Sequence, residues 1–309
     1  MNTFETYTSL KSKKADTTVK SSLLRSKPEE AEIILLGYPD DLGIEKNGGH
    51  VGAKEGPDRI RKHLYGMTPQ NPSDFHSLYD GGNLICSETL SLEERHLRAS
   101  EEVKKHLNTD KKILSLGGGH DYGFADGLGF GESNYGSKSV TVFNFDAHLD
   151  LRDLEKGITS GTPFYRLLKQ YGERLDLFQV GIQEHCNSKK LFDLAHQNEN
   201  IHVLEYSDLY PKGYFSEESF TKTKLVWPET RTPCYVSVDI DGFSSSIAPG
   251  CSQSWASGFD LASFMFMFEM ILYHFDVRML GIYEVSPPLD NNEQTSRLAA
   301  QIAYRWLRK

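Results

Sequence analysis

Apolar residues in this chain come in short bursts, separated by longer amphipathic stretches. The run EIILLG at Glu32–Gly37 is bounded by Gly37 and Pro39, and its length and flanks predict a buried strand. Further runs predict strands at Lys112–Leu116, Val140–Phe145, Leu175–Gly181, His202–Leu204, Cys234–Val238 and Met279–Tyr283. Helical periods lie between them. One opens at Pro57 (PDRIRKHLY), a residue suited to the first helical position. Others follow at Leu92–Leu107, Thr162–Tyr171, Ser188–Gln197, Leu261–Phe275 and Thr295–Arg308, with Ser91 and Glu94 paired as a capping box ahead of the first. Strands alternating with helices predict βαβ units, here an α/β fold: a three-layer α/β/α sandwich around a central, mostly parallel sheet. Residues 1–30 are polar and lack a sustained period, so they read as an N-terminal extension, with Leu23 and Leu24 the residues able to pack. Residues 31–309 show neither repeat nor linker and read as one domain.

In a parallel sheet, ligands bind beyond the carboxyl ends of the strands. That is where the ionisable residues fall. ILSLGGGHD carries His120 just past one strand. FNFDAHLDLR carries Asp146, His148, Asp150 and then Arg152 past the next. YVSVDIDGF adds Asp239 and Asp241, and GIYEVSPPLD adds Glu284. In extended chain, residues i, i+2 and i+4 share a face, so Asp146, His148 and Asp150 converge. Taken singly these motifs are ordinary: a histidine beside a glycine turn, solvated Asp-x-Asp loops, a strand-end glutamate in an ion pair. Jointly they set two histidines and four aspartates beside buried apolar positions, where unpaired charge is costly. Six donors exceed one tetrahedral zinc and suit two ions that share carboxylates. The lack of thiolate favours a hard or borderline ion such as Mn²⁺. Two such ions can ionise a shared water for attack on an electrophilic carbon. Glu284 could pair with a guanidinium or amidinium fork. The rival reading is a salt-bridged polar core.

Composition narrows the partners. With 38% hydrophobic and 25% charged residues the chain is an ordinary globular protein. Its net charge of -9 argues against nucleic acid. No apolar run approaches the ~20 residues of a membrane span, and the N-terminus has no signal-peptide core, so a cytoplasmic location is expected. Cys86, Cys186, Cys234 and Cys251 form no CxxC motif.

At GGGH (117–120), DAHLD (146–150) and SVDID (237–241) the chain resembles the ureohydrolases: arginase, agmatinase, guanidino-acid hydrolases and formimidoylglutamase. The resemblance runs from about residue 33 to the C-terminus and implies an arginase-like catalytic domain. It implies two manganese ions per subunit. One would be held by His120, Asp146, Asp150 and Asp239, the other by Asp146, His148, Asp239 and Asp241, with Asp146 and Asp239 bridging. Asp146, Asp239 and Glu284 then carry the catalysis, Glu284 gripping the substrate's guanidinium or formimino group. NGGHVGAKEGPDRIRKHL, DAHLDLR, SGTPFYRLL, GIQEHCNS, APGC and TSRLAA are most similar to the formimidoylglutamases. That similarity makes Arg152, Ser160, Gly161, Thr162 and Asn187 substrate-binding positions. It implies hydrolysis of N-formimino-L-glutamate to L-glutamate and formamide in histidine degradation, by a homo-oligomer. The alternatives are urea release from arginine, agmatine or another guanidino compound, and a non-catalytic scaffold of the same fold.

Arg152 fits a substrate with two carboxylates, as a bidentate anion partner. Its bland alternative is an ion pair with Asp153 or Glu155. For Ser160 and Thr162 the bland alternative is helix capping. Two positions depart from the family pattern: Ser244, after the last aspartate, where altered hydrogen bonding around the ligands is expected, and Gln183, which replaces an arginine. Cys251 and Trp255 sit on a loop expected to overlie the site, with Cys251 read as a packed thiol.

Overall fold

The computed structural model describes residues 3–7, 17–222 and 228–309. The apolar bursts form the strands of a single sheet: β1 (Phe4–Glu5), β2 (Ile33–Gly37), β3 (Leu78–Leu84), β4 (Lys112–Leu116), β5 (Val140–Phe145), β6 (Leu175–Ile182), β7 (Ile201–Glu205), β8 (Thr232–Asp239) and β9 (Phe275–Tyr283). Their order is β1-β3-β2-β4-β9-β8-β5-β6-β7. Every pairing is parallel except the edge pair β1–β3.

The sheet is buried on both faces, and each strand's alternation sorts its side chains between two cores. Ile33, Leu35, Phe143 and Phe145 join the core beneath helices Gly56–Tyr65, Leu261–His274 and Gln294–Leu307. Ile34, Leu36, Val140 and Val142 join the core beneath Leu92–Leu107, Tyr122–Gly131, Pro163–Tyr171 and Lys189–His196. This is the three-layer arrangement expected when helices cover both faces of a parallel sheet. The capping box forms as read, with the Ser91 hydroxyl accepting from the Glu94 N–H at 3.2 Å and the Glu94 carboxylate accepting from the Ser91 N–H at 2.8 Å.

Two of the longer elements lacked a sequence signal. β3 is interrupted by Asp80, Gly81 and Gly82, and its register with β2 shifts between Leu35 and Gly37. The helix Tyr122–Gly131 is buried along its whole length, so it shows no polar face and no amphipathic period. Its glycines serve contact. A Cβ on Gly129 would stand 2.7 Å from Val103, and one on Gly127 would stand 2.5 Å from Leu167, so the flanking helices can close on its backbone. Of the N-terminal extension, residues 1, 2 and 8–16 lie outside the described residues. Val19 and Leu23 are buried in the first core, and Leu24 bridges to Leu78. No helix among the described residues is long and apolar enough to cross a membrane.

Candidate metal centre

Leu116, Ile282, Val238 and Phe145 form one aligned row across the adjacent strands β4, β9, β8 and β5. It is the last apolar row. One step further the chain presents Asp239, paired with Tyr283, and Asp146, which directly follows Phe145. Four motifs far apart in sequence are therefore delivered to one crevice at the carboxyl ends of the central strands.

The convergence is not produced by extended chain, as the alternation suggested. β5 ends at Phe145, and residues 146–150 turn. The Asp146 carboxylate accepts from the His148 N–H at 2.6 Å, and Asp150 stands at φ +49. Asp241 likewise lies in a short 3₁₀ turn, Ile240–Gly242, with its N–H donating to Asp239 at 2.9 Å. The carboxylates thus use one oxygen to shape the turn and present the other. Glu284, just beyond β9, is also left-handed (φ +64) and accepts from the His120 N–H at 2.9 Å. Two non-glycine residues held in this sparsely populated region at one site mark a constrained, functional arrangement. The GGGH turn is pinned by Asp40: a Cβ on Gly118 would fall 1.8 Å from the Asp40 carbonyl oxygen, which also accepts from the Gly119 N–H at 2.9 Å.

His120, Asp146, Asp150 and Asp239 bring four donor atoms within 4.8 Å of one another, and Asp146, His148 and Asp241 form a second such group. Asp146 belongs to both groups, whereas Asp239 joins the first only. His120 Nδ1 lies 3.2 Å from Asp146, 3.0 Å from Asp150 and 3.0 Å from Asp239, yet makes no hydrogen bond of acceptable direction. His148 Nδ1 lies 3.1 Å from Asp241. Asp241 Oδ1 is also buried without a partner.

The charge balance argues for cations. Burial, then Asp241 and Asp146, pushes the Asp239 carboxyl well above the carboxylate range. Burial and Asp239 do the same to Glu284. Burial lifts Asp241 to about 6 against the pull of His148. Burial also opposes a charge on His120, but Asp146, Asp150 and Asp239 outweigh it and hold the imidazole well above its ordinary value. Carboxylates this close compete for protons unless a positive charge sits between them. An oxygen-rich pair of sites with one imidazole each and no thiolate fits two hard or borderline divalent ions.

A cleft of about 230 Å³ opens over this floor. Arg152 lies on its wall, with Nη1 donating to Asn47 Oδ1 at 3.2 Å, while Asn47 Nδ2 donates to Ser160 Oγ at 3.2 Å. The bland reading of Arg152 is not realised: among the described residues Asp153 pairs with Lys190 instead, at 2.6 Å. Ser160 and Asn187 line the cleft, but the Asn187 amide is engaged by the backbone of Ala147, Leu149 and Gln183 and so braces the DAHLD turn. Gly161 stands behind Arg152, where a Cβ would meet its Cδ at 2.9 Å. Thr162 is buried in its own turn, bonded to Thr159, and does not reach the cleft.

Asn47, His185, Ser252 and Gln253 also line the cleft and were not singled out from sequence. They carry no spacing signal, and only the position of Asn47 in a glycine-rich loop hinted at it. Trp255 lies over the cleft as expected, packed edge-on against His185 at 4.9 Å. Both departures from the family pattern hold its loop: the Gln183 side chain bonds Ser257 at 2.6 and 3.3 Å, and Ser244 Oγ donates to the Ala256 carbonyl at 2.8 Å. Cys251 is buried and its thiol is pushed well above the ordinary range, first by burial, so it is packed rather than reactive.

Comparison with known proteins agrees with this geometry. The arginase family model matches residues 31–308. A formimidoylglutamase of Streptococcus pyogenes is 31% identical over 280 residues, covering 89% of this chain and 84% of that protein. Among solved structures, a Trypanosoma cruzi formiminoglutamase with Mn²⁺ superposes with a TM-score of 0.80 at 26% identity, covering 94% of this chain and 97% of that one. A Bacillus subtilis formimidoylglutamase gives 0.79 at 25% identity, covering 97% and 93%.

Proposed function

The chain belongs to the arginase family and is a hydrolase of C–N bonds in linear amidines, and we propose that it converts N-formimino-L-glutamate and water to L-glutamate and formamide with two manganese ions. The observation that carries the metal reading is the pair of donor groups sharing Asp146 at the floor of the cleft. His120, Asp146, Asp150 and Asp239 would hold one ion. Asp146, His148 and Asp241 would hold the other, and the family resemblance adds Asp239. When bound, such a pair supplies an ionised water at neutral pH and stabilises developing negative charge.

The chain's own residues orient the substrate. Glu284 spends one oxygen on the His120 amide and keeps its second for the formimino N–H groups, which turns the amidine carbon toward the metal donors. Arg152, paired with no carboxylate among the described residues and steadied by Asn47, offers two parallel N–H donors to a substrate carboxylate. Asn187 holds the turn that carries three of the donors. Trp255 and His185 wall the mouth and limit water. A substrate with two carboxylates suits this cleft better than one with a cationic tail, which would face Arg152.

A substrate panel tests the reading. With Mn²⁺ added, formamide is expected from N-formimino-L-glutamate, with no urea from arginine or agmatine. Urea in place of formamide would overturn the substrate, and fewer than about one tightly bound ion per chain after manganese loading would overturn the two-ion chemistry.

A further inference from the structure

Beside the cleft lies a second, larger cavity of about 520 Å³. Asn47, Arg152, Cys186 and Leu191 line both, so the two spaces adjoin, with the Arg152 guanidinium held at their boundary by Asn47. Their walls differ in charge. The cleft sets Asp150, Asp239, Asp241 and Glu284 against Arg152. The second cavity sets Lys46, Arg152, Lys156 and Lys190 against Asp153 and Glu155. Lys190 is taken by Asp153 at 2.6 Å. Lys46, Arg152 and Lys156 pair with no carboxylate among the described residues, which leaves them against Glu155 alone on this wall. Lys46 and Lys156 are both exposed.

This concentration of positive charge stands on a chain of net charge -9, which as a whole repels anions. Cations on the wall of a concave, low-dielectric space focus the field into it and raise the local concentration of an anion. The two residue types divide that work. A lysine ammonium is a hydrated point charge on a flexible stem, so it attracts without imposing an orientation, whereas the planar fork of Arg152 binds a carboxylate in a defined geometry. We propose that the second cavity is an antechamber for small dicarboxylates. Lys46 and Lys156 draw the anion from solution, and Arg152, which lines both spaces, receives it at the entrance to the cleft. The inference rests on the reading that the substrate carries two carboxylates.

The test is the salt dependence of formamide release from N-formimino-L-glutamate by the manganese-loaded chain. In the double variant Lys46→Gln, Lys156→Gln, kcat/KM is expected to fall about tenfold at about 0.01 M KCl, where charges act over about 30 Å. The difference should close by about 1 M, where that range is about 3 Å, with kcat unchanged throughout. Lys46→Arg with Lys156→Arg keeps the charge and should keep the parent's salt profile. A merely solvated or structural lysine would not respond to salt in this way. A loss that persists at high salt, or a parent-like profile in the glutamine variant, would overturn the antechamber. Glutarate, a dicarboxylate with no amidine, tests the same step without turnover. Its affinity, measured by titration calorimetry, should fall about tenfold at low salt in the glutamine variant. Equal affinity, or no binding by the parent, would also overturn the antechamber. A parent that binds glutarate yet releases no formamide would overturn the substrate reading instead, and the glutarate comparison then decides the antechamber by itself.

Discussion

On the floor of the cleft, His120, Asp146 and Asp239 stand at or just past the ends of the central strands β4, β5 and β8 and are buried, whereas on its rim Asn47, Arg152, His185 and Trp255 hang from separate loops and are exposed. The floor is dense in charge that the protein itself leaves uncompensated. The rim is held by ordinary hydrogen bonds and one aromatic contact, among them Arg152 to Asn47 and Gln183 to Ser257. The floor is suited to one kind of chemistry and tolerates little change. The rim chooses which molecule reaches it. Breaking each in turn should yield different signatures.

The largest effect is expected at the floor. Asp239→Ala removes a donor that is already forced toward its protonated form by burial and by Asp241 and Asp146. Turnover should fall about a thousandfold or more, the scale for losing a group that stabilises developing charge, and at least one ion should be lost. The ion-free chain should nevertheless melt no lower than the parent, because the substitution relieves repulsion. A salt-bridged polar core would behave in the opposite way, losing stability whenever a carboxylate is removed. Differential scanning calorimetry in chelator, beside metal analysis, separates the two.

At the rim, Arg152→Ala should raise KM about tenfold or more for a dicarboxylate substrate, as expected for a charge-assisted pair, with kcat nearly unchanged. That split is the signature of binding away from the reacting bond. A fall in kcat at constant KM would show that Arg152 belongs with the floor. Asn47→Ala should act in the same direction by a few-fold, since it only steadies the guanidinium through one exposed hydrogen bond of 3.2 Å. The two changes should be less than additive, because the second residue works through the first.

The floor could be read in the sequence because strand ends are short, apolar and periodic, and the sheet aligns them. GGGH, DAHLD and SVDID each follow a burst whose length fixes where the turn begins. What the alternation did not reveal was the mechanism of convergence. Asp150 and Asp241 reach the site through turns built by carboxylate-to-amide hydrogen bonds, which depend on backbone angles rather than on spacing. The rim was less legible. His185, Ser252 and Gln253 have no local pattern and meet only because distant loops fold over the same strand ends. Thr162 shows the opposite failure: its motif is intact, yet it points into its own turn. The helix Tyr122–Gly131, and Asp126 within it, escaped notice because complete burial erases periodicity.

Asp126 supplies the smallest expected effect, and one that links the floor to what lies beneath it. Burial lifts its carboxyl to about 7, although the Tyr283 and Tyr38 hydroxyls resist this. In the ion-free chain the native state therefore holds this proton over a range in which the unfolded state has released it. Stability tied to Asp126 is fully present below the ordinary carboxylate range and is lost as pH rises from about 4 to about 7. Asp126→Asn cannot titrate, so the difference in urea midpoint between variant and parent, measured in chelator, should shift in favour of the variant across that window and stay level below it. Ions at the floor would lower the Asp126 carboxyl by their charge and shrink the difference. A midpoint difference that does not change with pH would mean that the tyrosines alone hold Asp126 ionised and that its proton balance is independent of the floor above.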